Sequence, residues 1–228
     1  MLQKSLSKRR VMNEQPNKNF YEIYSADRCE PLIIASGLGQ LEMKALRRTS
    51  YPGLELPDGV LSGVYSVGYW DAKRNQGWGL DWHRNEGIEF TFLSSGSLDF
   101  SLEKEQFNLR PGNLTVTRPW QLHRVGNPNV TTGKLYWMII DVGVQQPHQD
   151  WKWPDWVVLS KDDLLELTKI LRQNEMPVWK TSGVLNNSFK EIGRCLDGST
   201  SKEQIPHSKL NILINNLLLQ MLDLFRKG

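Results

Sequence analysis

Across residues 30–142 apolar and polar positions alternate with a period of two. Turn residues interrupt the alternation roughly every 8–12 positions, the rhythm of many short antiparallel strands in a sandwich or barrel. Leu32-Ile33-Ile34 opens the series, and runs over 64–70, 88–93, 98–102, 107–109 and 114–117 continue it. Gly96-Ser97, Glu103-Lys104-Glu105 and Pro111-Gly112 supply turns between them. The last run, 135–140, is apolar on both faces: Leu135, Trp137 and Ile139 on one, Tyr136, Met138 and Ile140 on the other. A strand with one face on a core would alternate, so this one needs cover on its outer side as well.

From Ser160 the period changes to 3.6, and the helices it predicts supply that cover. Ser160 is placed as an N-cap, with Asp162 and Asp163 in the first turn and Arg172 in the last, charges that suit a helix dipole. Leu164, Leu167 and Leu171 share one stripe. A second, short helix is predicted from near Asn187 or Ser188, with Phe189, Ile192 and Leu196 on one side and a stop at Gly198. A third starts between Thr200 and Pro206 and runs close to the C-terminus. Leu213, Ile214, Leu217, Leu218, Met221, Leu224 and Phe225 fill a broad apolar arc on it. Ile212, Leu219 and Leu222 fall on the opposite side among Asn211, Asn215 and Asn216, which predicts either deeper burial or a second contact surface.

The pattern divides the chain into an N-terminal arm over 1–28, a β-barrel over 29–158 and a helical segment over 159–228. Lys4, Lys8, Arg9 and Arg10 in the arm suit a solvated tail. At 228 residues, 39% hydrophobic and 23% charged, the composition is that of an ordinary soluble protein with a real core. A net charge of +3 is too small to argue for nucleic acid. No apolar run follows the basic residues as in a secretory signal, and none approaches the roughly 20 residues of a membrane span. Cys29 and Cys195 lie far apart with no ligand spacing, which suits a reducing cytoplasm. No phosphate loop, Ser-His-Asp set or CxxC pair is present, which disfavours phosphoryl-transfer, acyl-transfer and redox enzymes. Six of the nine tryptophans cluster, at 70, 78 and 82 and again at 151, 153 and 156. Indole faces pack cores and also stack on sugar rings; for the segment 148–159, with Pro154, a rigid packed strap is expected.

The stretch "WHRNEGIEFTFLSSG", 82–96, concentrates polar chemistry. His83, Asn85, Glu89, Thr91 and Leu93 share parity, so a continuous strand, or an even-residue turn at Glu86-Gly87, aims them the same way. A second polar group follows in "LRPGNLTVTRPWQLHRV", with Asn127 just beyond.

Together the two stretches resemble the paired signatures of the cupin family. The first keeps every spacing of H-x-H-x3-E-x6-G through His83, Asn85, Glu89 and Gly96. The second follows G-x5-P-x-G-x2-H-x3-N at Gly112, His123 and Asn127, with Arg118 replacing the first proline and Trp120 replacing the second glycine. Within that family the second stretch is similar to the sensor domains of AraC-type transcription regulators, and the helical tail suits their dimerisation helices.

The resemblance implies a mainly β fold with α: a cupin double-stranded β-helix, or jelly-roll, barrel followed by a C-terminal helical segment. It implies an effector-sensing, dimerising domain whose small ligand, a sugar or sugar acid, binds in the barrel. The residues it points to are Tyr69, Trp82, His83, Asn85, Glu89, Arg118, Trp120, His123 and Trp137. The dimer interface is expected at Leu164, Leu171, Leu217, Met221 and Leu224. No cofactor and no catalytic residue are expected, and DNA would be bound only through a helix-turn-helix part that nothing before Gly228 matches. In metal-binding cupins the positions of His83, Asn85, Glu89 and His123 supply ligands. With Asn85 a poor donor, a metal here would rest on His83, Glu89 and His123. The alternatives are therefore a metal-dependent cupin enzyme, an isomerase or dioxygenase, and a dimeric scaffold whose barrel interior is filled by side chains.

Overall fold

The computed structural model describes residues 26, 28–103, 105–146, 148–199 and 201–227. Helix α1 (Glu30–Gly37) precedes ten strands: β1 (Glu42–Arg47), β2 (Leu54–Glu55), β3 (Val64–Ala72), β4 (Leu80–His83), β5 (Ile88–Gly96), β6 (Leu98–Leu102), β7 (Glu105–Leu109), β8 (Asn113–Thr117), β9 (His123–Val125) and β10 (Gly133–Ile140). Then follow α2 (Lys161–Gln173), β11 (Val178–Lys180), α3 (Gly183–Asp197), a 3-10 turn (Lys202–Gln204) and α4 (His207–Phe225). The strands form a seven-stranded sheet ordered β11-β8-β5-β10-β3-β1-β2 and a four-stranded sheet ordered β4-β9-β6-β7. The β1–β2 pair is parallel and the others are antiparallel.

The two-faced strand predicted at 135–140 explains the layering. β10 lies between β3 and β5 at the centre of the large sheet, with Trp137 opposite both Gly68 and Thr91. Leu135, Trp137 and Ile139 pack with Leu80, Phe100 and Val125 of the small sheet, forming the barrel interior. Tyr136, Met138 and Ile140 pack on the other side against Phe189, Leu217 and Met221 of the helices. Phe92 stacks on Phe189 with ring centres 4.8 Å apart and planes within 4°. Gly68 lets the Trp137 indole lie flat against β3; a Cβ there would sit 2.5 Å from the indole and 2.6 Å from Ala45 Cβ. The signature glycine Gly96 has φ +85, and a Cβ would meet Thr132 O at 2.1 Å.

Several expectations need correction. The run 32–34 is not a strand: it lies in α1, where Pro31 presets the first turn and only Leu32 and Ala35, three apart, are buried. Strand β1 was not anticipated, and β2, β4, β9 and β11, two to four residues each, are too short to show a period. The helix expected from Asn187 or Ser188 begins earlier, after Ser182, and ends as predicted before Gly198. Ser160 does cap its helix, accepting from Asp163 N at 3.1 Å. On α4, Leu222 is buried, whereas Ile212 and Leu219 are exposed. Strand β11, within the segment 159–228, pairs with β8 at the edge of the large sheet. The arm expected over 1–28 falls outside the described residues apart from positions 26 and 28.

The expected interface residues are occupied within the chain. Leu171, Leu217 and Met221 belong to the core between sheet and helices, and Leu164 and Leu224 are half-buried against it. Each such burial is worth about 1.5–3 kcal/mol, which a partner would have to replace. The strap packs as expected: Trp153 Nε1 donates to Thr168 Oγ1 at 2.8 Å and Trp156 Nε1 to Ser62 O at 2.6 Å. Asn215, assigned to the polar side of its helix, instead pins the strap, accepting from Val158 N at 2.7 Å and donating to Trp156 O at 3.3 Å.

Candidate functional site

The parity argument holds at the barrel interior. Arg84 to Gly87 form a four-residue connection between β4 and β5, so His83, Asn85 and Glu89 reach the same lumen, which Thr91 and Trp137 also line. β9 brings His123 alongside β4, with His83 and His123 paired across the ladder and their ring centres 4.1 Å apart. Both Nδ1 atoms lie against backbone carbonyls, at Asp81 O (2.6 Å) and Gln121 O (2.9 Å). Carbonyls only accept, so each Nδ1 carries a proton and donates it.

That assignment decides the chemistry at Glu89. His123 Nε2 lies 2.9 Å from Glu89 Oε2, and with Nδ1 already protonated, a proton must sit between them. Asn85 Nδ2 donates to the same Oε2 at 2.9 Å, and Asn85 Oδ1 accepts from Tyr51 Oη at 3.2 Å. The amide cannot turn round, because Oδ1 would then face the carboxylate. Burial pushes the Glu89 carboxyl up, but the hydrogen bond and charge of His123, then His83 and Asn85, outweigh it and hold Glu89 below the usual carboxylate range. The contact is therefore a His123–Glu89 pair that shares one proton, with an amide clasped to it. Burial, and after it Glu86 and Glu89, drives the Tyr51 phenol well above its ordinary value, so Tyr51 acts here as a neutral donor.

A transition metal does not suit this arrangement. The corner that a second histidine would fill is taken by an amide NH2 group without a lone pair, and the carboxylate oxygen is already committed to a shared proton and that amide. Among the described residues no group of three or more His, Cys, Asp or Glu side chains is arranged to hold a metal ion. The lumen is also small. Its free volume is about 30 Å³, room for one or two waters. Trp137, whose Nε1 donates to Ser66 Oγ at 2.8 Å, fills much of the interior, and Leu32 of α1 with Tyr51 and Pro52 closes the mouth. Two hydroxyls, Thr115 Oγ1 and Thr117 Oγ1, are buried on the lumen side, directly across from Thr91 and Glu89, with no partner among the described residues.

The remaining candidates lie elsewhere. Tyr69 points to the helical layer, where its single hydroxyl proton is shared between Glu42 Oε1, at 3.1 Å, and Asp197. Trp82 is 40% exposed and stacks under the Arg124 guanidinium. Arg118 and Trp120 line a separate groove at the barrel rim. Trp120 stands where the family pattern has glycine, and its φ of +63 gives the reason for that glycine. This conformation costs a residue with a side chain about 1–2 kcal/mol. Burial of the indole, with Nε1 donating to Val144 O at 3.2 Å, offsets it. Sequence reasoning missed Tyr51, Leu32 and Cys29 at the mouth, which no motif marks, whereas parity marked Thr91 without placing it among the ligand candidates.

Residues 73–139 match the cupin domain family. With the barrel topology and the interior pair above, the chain carries a cupin domain, a β-barrel followed by C-terminal helices. Solved structures with related geometry include the AraC-like transcriptional activator CuxR, at 10% identity and a TM-score of 0.43, covering 86% of this chain and 65% of CuxR. Others are a cupin superfamily protein from Desulfitobacterium hafniense DCB-2 (11%, TM-score 0.32, 44% of this chain and 77% of that one) and KdgF from Halomonas sp. (16%, TM-score 0.31, 44% and 76%). No curated protein matches the sequence. Among the described residues, no helix is long and apolar enough to cross a membrane.

Proposed function

We propose that the chain is the effector-sensing part of an AraC-type regulator, non-catalytic, acting as a homodimer. In this reading a small polyhydroxylated ligand, a sugar or sugar acid, enters the cupin lumen, and DNA is engaged only through a helix-turn-helix part outside this chain. The observation that carries the reading is β10, which puts Trp137 into the lumen and its neighbours Tyr136 and Met138 against the helices. A guest that moves Trp137 thereby moves the surface on which α3 and α4 rest. Unpartnered hydroxyls at Thr115 and Thr117 beside Glu89 favour a guest that brings polar groups.

A monosaccharide exceeds the 30 Å³ now free, so binding requires the closing segment at Leu32 and Tyr51 to yield. Closed and opened forms are then the two states between which a ligand discriminates. The test is a thermal-shift screen of monosaccharides and sugar acids on wild type and on Tyr51→Phe, which lacks the hydroxyl donated to Asn85. A ligand at a hundredfold its Kd adds about 2.7 kcal/mol, a rise of roughly 5–10 °C for a chain of this size. Tyr51→Phe, by loosening the closure, should bind it more tightly. A panel that stabilises neither protein overturns the sensor reading. The nearly filled lumen would then favour the dimeric scaffold with an unused barrel.

A further inference from the structure

We propose that the groove at the barrel rim binds a small hydroxylated anion, at a site distinct from the lumen and independent of the sensor reading. The groove has a volume of about 350 Å³, within the range of small-molecule sites and far larger than the lumen. Three turns and a helix end converge on it. Arg84 comes from the β4–β5 connection, Arg118 from the turn after β8, Glu103 from the β6–β7 turn and Arg172 from the last turn of α2. Three guanidinium groups and one carboxylate line it, so the concave surface keeps a positive excess even with Arg172 paired to Asp150.

The cations are oriented but not used up. Arg118 Nη1 donates to the backbone carbonyl of Arg172 at 3.1 Å, which fixes the fork and leaves its other N–H groups. Arg172 pairs with Asp150 at 2.9 Å, a solvent-exposed carboxylate whose pairing is weak. Arg84 is half-buried, with no hydrogen bond or ion pair to another described residue. Guanidinium forks match carboxylate and phosphate oxygens in pairs. Gln121 Oε1 is held by Arg118 N at 3.0 Å, which leaves the amide N–H for a ligand oxygen, while Glu103 can accept from a hydroxyl. The floor is Trp120, kept in its left-handed conformation at this spot, the kind of local strain that gathers at binding sites. A sugar acid or sugar phosphate meets these demands. Bound there, it would bridge the barrel rim and the end of α2.

Calorimetry on the full 228-residue chain, titrated with glucuronate, glucose 6-phosphate and glucose, tests the assignment. One or both anions should bind with one-to-one stoichiometry and weaken as salt rises, and glucose should give no heat. Comparison of the two anions tells carboxylate from phosphate recognition. Arg84→Ala and Arg118→Ala should each weaken binding about tenfold. Arg84→Ala breaks no hydrogen bond or ion pair to a described residue, so its melting temperature should stay close to the wild-type value, and Arg84→Lys should recover part of the affinity. The proposal is overturned if neither anion binds, if glucose binds as well as the anions, or if affinity survives both alanine substitutions.

Discussion

Glu89 shows how one residue sets the character of the barrel interior. Its carboxylate lies 2.9 Å from His123 Nε2 and from Asn85 Nδ2, and those partners hold it below the usual carboxylate range. A depressed carboxyl stabilises the fold in full above its unfolded value, about 4.3 for glutamate, and that contribution is lost as pH falls through the folded value. Glu89→Gln should therefore cost about 1–3 kcal/mol near neutrality. Urea unfolding of both proteins from pH 7 downward should show the gap closing only below the ordinary glutamate range. A gap that stays constant into acid would mean that the buried pair is not ionic. Asn85 is the complementary case. Its amide joins Glu89 to Tyr51, so the residue that departs from the metal-binding pattern is what turns a would-be ligand set into a hydrogen-bonded clasp.

At the scale of elements, β3 and β10 meet through Gly68 and Trp137. Trp137→Ala removes a whole indole from the lumen and should destabilise by about 3–5 kcal/mol. Gly68→Ala drives a methyl group into the indole and Ala45 at 2.5 and 2.6 Å, an overpacking worth roughly 1–3 kcal/mol. Once the indole is gone, part of that collision goes with it, so the double variant should lose less than the sum, by 0.5 kcal/mol or more in a urea-denaturation cycle. Strict additivity would place the indole away from Gly68. This strand was legible in the sequence because a six-residue apolar run rich in aromatic and β-branched residues, too short for a typical helix, suits a strand covered on both faces. Ser160 was legible for a similar reason, a cap hydroxyl followed by acidic first-turn residues. By contrast, Leu32–Ile34 read as a strand because three adjacent apolar residues carry no period, and Pro31 decided for a helix. Within the site, His83, Asn85, Glu89 and His123 were visible through spacing and parity alone. Tyr51 was not, since only the folding of a loop over the barrel mouth brings it to Asn85, 34 positions on. Trp82 and Tyr69 misled because an aromatic near a motif says nothing about the face it occupies.

At the scale of the whole molecule, the two apolar cores are opposite faces of one sheet. Phe90, Phe92, Val116, Tyr136 and Met138 all serve the helical side, while their strand neighbours Leu93, Leu135, Trp137 and Ile139 serve the barrel. β11 adds a further tie, since it lies beyond the strap yet pairs with β8. Removing the helices would strip an edge partner from the large sheet and uncover a contiguous apolar face, the kind of surface that drives association. Barrel and helices are therefore expected to stand or fall together. Full-length protein should unfold in one transition, with tryptophan fluorescence, reporting Trp70 and Trp137 in the barrel and Trp153 and Trp179 on the helical side, coincident with far-ultraviolet circular dichroism. A fragment ending at residue 158 should aggregate or fail to fold. Two separated transitions, or a soluble monomeric fragment, would show instead that the layers are independent. Trp137 could then not transmit its position across β10, and the route from lumen to helices would be lost with it.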